Sequence, residues 1–562
     1  MKAKATLSSG RFNRTDALLL ALIGIVALAS SLPFSYAAQG QMPEAGDLTI
    51  HWPRMLAFDE ALRSGVWLPR WLGSMNDGYG AATTLFYAPL LYYALSAAHA
   101  LTGDWPKAVE VVVAFAALGS GVSLYAAARA LVSRGASASA AIFYVLAPYH
   151  LIDLYHRGAL AELLAFVWMP LVILAYTRAT RRFSAQAIAG GALALALLVV
   201  THPPTAYLFT LAFLIFVTFY AGRTKSWQCL ASGLAMVALG AAVAAFYAMP
   251  AVIEKPLVSQ SVTDLFHRHV GFINELLVGN RFEQLIAAIA VTMALQMVAL
   301  SWPWRRQPPV ADDIVTQQHF AAWKLVGALA LVLLLPVVRP LVGVLPGMAA
   351  VAFVWRALAI ALLAAAMLVA IAIDRLLVSR LKVWASMVTL LIVGNIVFGV
   401  VASARAGNLR IAFVAPAERY EQDFTPAGTP SVYELPRGKT CEFVHALPGD
   451  EARLLEWQPE RRVIETTAAA GGMLQVYSLM YPGWMATVDG SPVMIETDPQ
   501  LKTMLIPVPP GKRQIVLVFQ NTKLRLLANC ISLAALVVLI ALLLVKRRRV
   551  EGDGLRLTGY AA

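Results

Sequence analysis

Charge is scarce in this chain of 562 residues. Asp, Glu, Lys and Arg make up 14%, where about a quarter is usual for a soluble globular protein. Hydrophobic residues make up 59% and gather in runs of about 17–25 residues, the length that crosses about 30 Å of hydrocarbon as a helix. A soluble enzyme with a large core is thereby excluded. Cysteine is scarcer still: Cys229, Cys441 and Cys530 form no disulfide framework and no zinc spacing, and read as small hydrophobes. Missing too are a Gly-rich phosphate loop, a G-x-S-x-G elbow and an H-E-x-x-H pair. Nucleotide cradling and serine-nucleophile chemistry have no motif to carry them. Acidic residues are outnumbered, 32 against 45 Lys and Arg, for a net charge of +13. In a soluble protein that excess points to nucleic acid. Here it sits in short loops between apolar runs, the positive-inside pattern of a membrane protein, so nucleic acid is not an expected partner.

What is present is a succession of apolar runs. Spans are expected at about 16–33, 108–131, 138–154, 160–177, 185–201, 205–221, 228–250, 283–302, 322–338, 354–373, 383–403 and 525–545. The first run follows Arg11 and Arg14 and precedes Ser35-Tyr36-Ala37, a weak cleavage site. An uncleaved span is expected, because cleavage would leave Asp47 on a loose terminus. Basic residues cluster at Arg129 and Arg134, at Arg178, Arg181 and Arg182, and at Arg223 and Lys225. Others follow at Arg305 and Arg306, at Arg375, Arg380 and Lys382, and in the tail from Lys546 to Arg549. With the N-terminus in the cytoplasm, all of these loops are cytoplasmic after about twelve crossings. The run 85–101 breaks the parity. It is expected as a helix along the outer interface, with Phe86, Tyr87, Tyr92 and Tyr93 at headgroup level. As a true span it would make about thirteen crossings.

The outer side then receives a first loop at 34–107, the turn Tyr155-His156-Arg157-Gly158, a loop at 251–282 and a polar domain at 405–524. In that domain, 463–469, 473–480, 484–488, 502–508 and 514–519 read as strands. Asp489-Gly490 is a hairpin signal and Pro509-Pro510-Gly511 a second turn. A small β-sandwich is expected, tethered by the last span. Tyr477, Tyr481 and Trp484 suit either its core or a carbohydrate surface.

Candidate site residues lie beside the spans. Asp47 opens the first outer loop. On a helix it shares a face with His51, four residues on, and Arg54 continues that face. A carboxylate there suits a general base for a hydroxyl. Glu44 is a second, weaker carboxylate. His156, Arg157 and Glu162 cluster in an outer turn, where Arg suits a phosphate and Glu162 suits orienting it or binding substrate. His202 ends a span, and Arg356 lies within the apolar run 351–372, with Arg339 nearby. An intramembrane Arg has a phosphate headgroup as its natural partner. His267 and His269 are two metal-type ligands without a third, so a divalent metal stays open and no cofactor is assigned.

The order of motifs resembles a known family. An outer loop opening on Asp47 is followed by Gly65-x-Trp67-x-Pro69-Arg70-Trp71 and then Phe86-Tyr87-x-Pro89-Leu90-x-Tyr92-Tyr93. Later come 157–162, Tyr481-Pro482-Gly483-Trp484 and Val488-Asp489-Gly490. This resembles the GT-C class of membrane glycosyltransferases, and more narrowly the YfhO-like, or 6-pyruvoyl-tetrahydropterin-synthase-related, membrane proteins. The second name is a label, since nothing here resembles the soluble pterin enzyme. The resemblance covers essentially the whole chain. It implies a mainly α, polytopic fold of about 12–13 spans with a C-terminal extracytoplasmic β-sandwich-like domain and a final transmembrane helix. The expected divisions are 1–404, 405–524 and 525–562. The implied activity is transfer of a sugar from a polyprenyl-phosphate donor to an envelope glycan, lipid or protein, on the outer face of a bacterial inner membrane. The implied base is Asp47, with Arg157 and Arg356 on the donor phosphate. The chain lacks an Asp-x-Asp or Glu-Asp pair in this loop, which leaves metal dependence and the role of Glu44 open. The alternative is a transporter, flippase or non-catalytic assembly protein for lipid-linked envelope precursors.

Overall fold

A backbone in hydrocarbon finds no outside hydrogen-bond partners, so an apolar run satisfies its own groups as a helix. The computed structural model describes residues 13–36, 46–259, 271–301, 314–378 and 419–545, together with 389, 393, 394 and 397. Its helices are α1 (Arg14–Tyr36), α2 (Gly46–Arg63), α3 (Thr83–Phe86), α4 (Leu90–Thr102), α5 (Trp105–Arg129), α6 (Arg134–Val145), α7 (Pro148–Ile152) and α8 (Leu160–Arg181). There follow α9 (Ala185–Val199), α10 (Pro203–Thr224), α11 (Trp227–Val243), α12 (Ala245–Ile253), α13 (Ile273–Val278) and α14 (Arg281–Ser301). The last are α15 (Ile314–Val332), α16 (Arg339–Val344), α17 (Ala357–Val378) and α18 (Lys523–Leu544).

Among the described residues, eight helical stretches are long and apolar enough to cross a membrane. Two bent pairs, α11–α12 at 76° and α15–α16 at 85°, bring the number to ten. This is fewer than the sequence expectation. Helix α9 has 15 residues, about 22 Å at the helical rise and short of the hydrocarbon thickness. The expected span 383–403 lies almost wholly outside the described residues. The run 85–101 is divided between α3 and α4. Its aromatics are not at a lipid surface: Tyr92 is fully buried, Phe86 stacks on Phe424, and the Tyr93 hydroxyl donates to the Trp67 carbonyl at 2.6 Å. Their polar tips find protein partners, which removes the reason to seek the interface.

Among the described residues, Arg129, Arg134 and Arg223 share one end of the bundle. Asp16, in the first turn of α1, pairs with Arg134 at 3.0 Å and lies 3.9 Å from Arg129. The Ser133 N–H donates to Asp374, Thr316 to the Leu131 carbonyl, and Arg223 to Gln318. The helices that leave this end carry Arg157, Glu162 and Arg356 at the other.

The C-terminal part holds β1 (Cys441–Phe443), β2 (Glu451–Gln458), β3 (Arg461–Ala468), β4 (Gly472–Leu479), β5 (Trp484–Val488), β6 (Ser491–Val493), β7 (Glu496–Thr497), β8 (Thr503–Val508) and β9 (Gly511–Phe519). They form two antiparallel sheets, ordered β1-β4-β8-β7 and β2-β3-β9-β5-β6. Ile464, Leu474, Val476, Ile506, Ile515 and Leu517 are buried in a common core. Asp489 and Gly490 take φ of 49° and 81° between paired Val488 and Ser491, the left-handed geometry of a two-residue hairpin. Tyr477, Tyr481 and Trp484 are all buried, so they belong to the core and not to a carbohydrate surface.

The segment between α2 and α3 is threaded into that core. Trp71 is fully buried and packs on Tyr481, Trp484 and Phe519. The Leu479 N–H donates to the Tyr79 carbonyl at 2.9 Å, and the Asn76 N–H to the Arg419 carbonyl at 2.7 Å. Below this junction Glu254 and Arg525 form a buried ion pair at 2.7 Å. Among the described residues the loop 251–282 therefore contributes a structural carboxylate; its His267 and His269 lie outside them.

Candidate active site

Helix α2 starts where Asp47 is needed. Gly46, its first residue, lies against the turn that ends at Arg157: a Cβ there would come within 2.7 Å of the Arg157 carbonyl oxygen. Only glycine permits this approach. It brings Asp47 beside Arg157, with Nη2 3.7 Å from Oδ2. That is beyond hydrogen-bond range, and the Asp47 side chain is 42% exposed, so its oxygens stay open to a ligand.

Arg157 is held from behind. Residues Asp153–Arg157 form a π-helical turn, a rare wide turn that recurs at functional sites. Its Nη1 donates to Asp153 at 2.5 Å and to Glu162 at 2.7 Å, and both acids are fully buried. Tyr149 donates to the other Glu162 oxygen at 2.9 Å. Arg356 ends a short 3-10 turn at the head of α17, not the interior of the apolar run. Its Nε lies 4.0 Å from Glu162 and has no hydrogen-bond partner, although Nη1 donates to the Val351 carbonyl at 2.5 Å. His202 caps α10 with Nδ1 2.8 Å from the Thr205 hydroxyl, and its ring feels Glu162, Arg356, Arg157 and Asp47. One exposed carboxylate thus stands beside an arginine braced by buried acids, and a second arginine with an unfilled donor lies against one of those acids.

A second layer lies further along α2. His51 sits between two phenols, with Nδ1 3.2 Å from the Tyr92 hydroxyl and Nε2 3.3 Å from that of Tyr87. Burial, with help from Arg54, depresses this imidazole to about 3. It is therefore neutral near pH 7, with one nitrogen donating and the other accepting. Arg54 pairs with buried Glu421 and lies 4.8 Å over the Tyr87 ring. Burial opposes its charge, but Glu421 outweighs this and holds its pKa above the ordinary value. Thr83 donates to the other Glu421 oxygen at 2.8 Å. Tyr87 joins the layers: burial and Asp47 push its phenol up to about 12, against the pull of Arg54, Arg356 and Arg157.

Of the residues expected from the sequence, Asp47, Arg157, Glu162, His202 and Arg356 meet in one cluster. His51 and Arg54 form the buried layer behind it. His156 is elsewhere, its ring 4.6 Å from that of Phe282. Arg339 pairs with Glu275 and is largely exposed. Glu44 lies outside the described residues. Sequence reasoning missed Asp153, Tyr149, Tyr87, Tyr92 and Glu421 as members of the site. Asp153 carried a signal, being four residues before Arg157. Glu421 carried none, lying 367 residues from Arg54. Among the described residues no group of three His, Cys, Asp or Glu is placed to hold a metal ion.

Comparison with known proteins follows from this geometry. The arabinofuranosyltransferase AftD from Mycobacteria aligns at 21% identity and a TM-score of 0.47, over 70% of this chain and 27% of that one. The Archaeoglobus fulgidus oligosaccharyltransferase in the apo form aligns at 13% and 0.39, over 73% and 56%. AglB from the same organism, in complex with an inhibitory peptide and a dolichol-phosphate, aligns at 14% and 0.41, over 70% and 56%. The chain spans about a quarter of the length of the first and just over half of the others. Likeness at this level says nothing of activity. No curated protein matches the chain. Residues 84–406, more than half of it, match the family described as 6-pyruvoyl-tetrahydropterin synthase related domain; membrane protein. This chain belongs to that family of membrane proteins.

Proposed function

We propose that the protein is a membrane glycosyltransferase of the GT-C type. It moves a sugar from a polyprenyl-phosphate donor to an envelope glycan, lipid or protein on the outer face of a bacterial inner membrane, with its N-terminus in the cytoplasm. Asp47 takes the proton of the acceptor hydroxyl. The acceptor oxygen bonds to the anomeric carbon as the carbon–phosphate-oxygen bond breaks, and polyprenyl phosphate leaves. Arg356 offers its free Nε to the departing phosphate, and Arg157 its outward Nη2. Fixed cations stabilise most where charge develops. Asp153 and Glu162 hold Arg157 in place, which spares reorganisation during the step.

The observation that carries this reading is the pairing of an accessible Asp47 carboxylate with Arg157 at 3.7 Å and a second arginine beside the same buried Glu162. An acid alone suits a base, and the arginines suit a leaving phosphate. The test is purified protein in nanodiscs with a panel of polyprenyl-phosphate pentoses and hexoses, reading released polyprenyl phosphate. Asp47→Asn should lower release about 100-fold or more, the usual weight of a general base. Unchanged release would overturn the assignment of Asp47, and donor movement across a vesicle without release would favour a flippase.

A further inference from the structure

A cavity of about 350 Å³ opens away from the Asp47 cluster, where the first outer loop, the β-sheets and the head of α18 meet. This is the size of sites for small ligands. Its polar wall is Arg70, Glu460, Gln520 and Asn521; its apolar wall includes Phe519 and Leu526.

The chemistry of the walls narrows the occupant. Arg70 is buried and already committed: Nη1 donates to Asn521, and Nη2 donates to the Phe246 carbonyl at 2.9 Å and to Asn529 at 2.8 Å. Glu460 accepts from the Arg70 N–H at 3.2 Å and brings a carboxyl to the same wall. An anionic phosphate therefore meets a guanidinium whose Nη1 and Nη2 are already engaged, and beside it a carboxyl. A prenyl tail would bury polar groups without partners, at a cost. A hydroxyl-rich ligand fits, because each hydroxyl both donates and accepts, and the Gln520 and Asn521 amides with the Glu460 carboxyl offer both senses. Phe519 and Leu526 suit the apolar face of a sugar ring. Leu526 and Leu527 are also more than half exposed at the head of the apolar α18, so the cavity opens where that helix enters the lipid. A second, small space of about 10 Å³ shares Leu68 and Arg70 with it and reaches Thr84, Pro89 and Tyr247. The Tyr247 hydroxyl donates to the Phe86 carbonyl at 2.7 Å, one residue before Tyr87 of the catalytic cluster.

We infer that this cavity is a saccharide-binding subsite for the acceptor, taking a glycan unit either free or as the headgroup of a glycolipid. The acceptor role rests on the transfer reading of the Asp47 site; the binding does not. Saccharide binds in the cavity, against Arg70, Glu460, Gln520 and Asn521 on one side and Phe519 and Leu526 on the other.

The experiment is binding to the full chain in nanodiscs. Mannose, arabinofuranose and N-acetylglucosamine trisaccharides serve as probes, each free and as a lipid-linked headgroup. Binding is read by saturation-transfer NMR and calorimetry. At least one probe should bind the unaltered protein and Asp47→Asn equally. Leu526→Trp, which fills the cavity, and Asn521→Ala should weaken it about tenfold or more, as expected for lost contacts of this kind. Leu526→Met keeps the volume and should bind as the unaltered protein does. Binding of no probe, or equal binding by the filled variant, overturns the subsite. A preference for lipid-linked over free probes places the natural ligand in the membrane. Saccharide binding that persists while Asp47→Asn keeps full transfer overturns the catalytic reading and leaves the subsite standing.

Discussion

At the scale of residues, the Arg54–Glu421 pair is costly to disturb. Both side chains are nearly inaccessible, and removing one partner of a buried pair strands the other charge. Glu421→Ala should lower unfolding stability in mild detergent by about 3–5 kcal/mol, whereas Arg54→Met with Glu421→Leu should recover most of that loss. Glu460 behaves differently. Burial raises its carboxyl from 4.5 to about 7. The folded state thus binds its proton more tightly than the unfolded chain does. The stability this lends is complete below the unfolded value and is lost as pH rises through about 7. Glu460→Gln should therefore match the unaltered protein at pH 4 and exceed it at pH 8 by about 3 kcal/mol, read from unfolding midpoints across pH. Asp47, Arg157 and Glu162 stood out in the sequence because charge is rare beside an apolar run. Glu421 did not, since it stands among polar neighbours that look alike until the chain folds.

At the scale of elements, two junctions position the site. The first is the contact of α2 with the π-helical turn. Gly46→Ala must push α2 away from the Arg157 carbonyl, and a displacement of about 1 Å at a reacting group costs about 100-fold. Transfer should fall by tenfold or more while the unfolding midpoint shifts little; an unchanged rate would show that this contact does not set the site. The second is Trp71, which carries the first loop into the β core. Trp71→Ala should cost about 3–5 kcal/mol, measured as denaturant unfolding of the β-rich part by tryptophan fluorescence. Strands β3, β4, β5, β8 and β9 were legible from alternation alone. Strand β2 was not, because Glu451, Arg453 and Glu456 interrupt its pattern and it is half-exposed along its length. The π-helical turn was also invisible. Nothing in Asp153-Leu154-Tyr155-His156-Arg157 distinguishes it from an ordinary helix end.

At the scale of the whole molecule, the placing of charge on the two ends of the bundle sets the orientation expected in the membrane. In a chain with its three cysteines replaced by serine, Ser491→Cys in the β5–β6 hairpin should react with a membrane-impermeant maleimide added outside spheroplasts. Phe183→Cys, in the exposed turn between α8 and α9, should react only after permeabilisation. The reverse pattern would invert the topology. The sequence by itself determined that the chain is a membrane protein, where most of its long helices and core strands fall, and that Asp47, His51 and Arg54 would share a face if that segment were helical. These are local properties, since hydropathy, alternation and helical spacing depend on neighbours in the chain. Only the tertiary structure decided that Glu421 neutralises Arg54, that Arg356 shares Glu162 with Arg157, that Trp71 sits inside the β core, and that Tyr87 and Tyr92 bracket His51 while Phe86 and Tyr93 pack elsewhere in the protein. Several of those pairings join residues far apart in the chain, 367 positions for Arg54 and Glu421, and what selects them is burial: a buried charge or phenol must find a partner, wherever in the chain that partner lies.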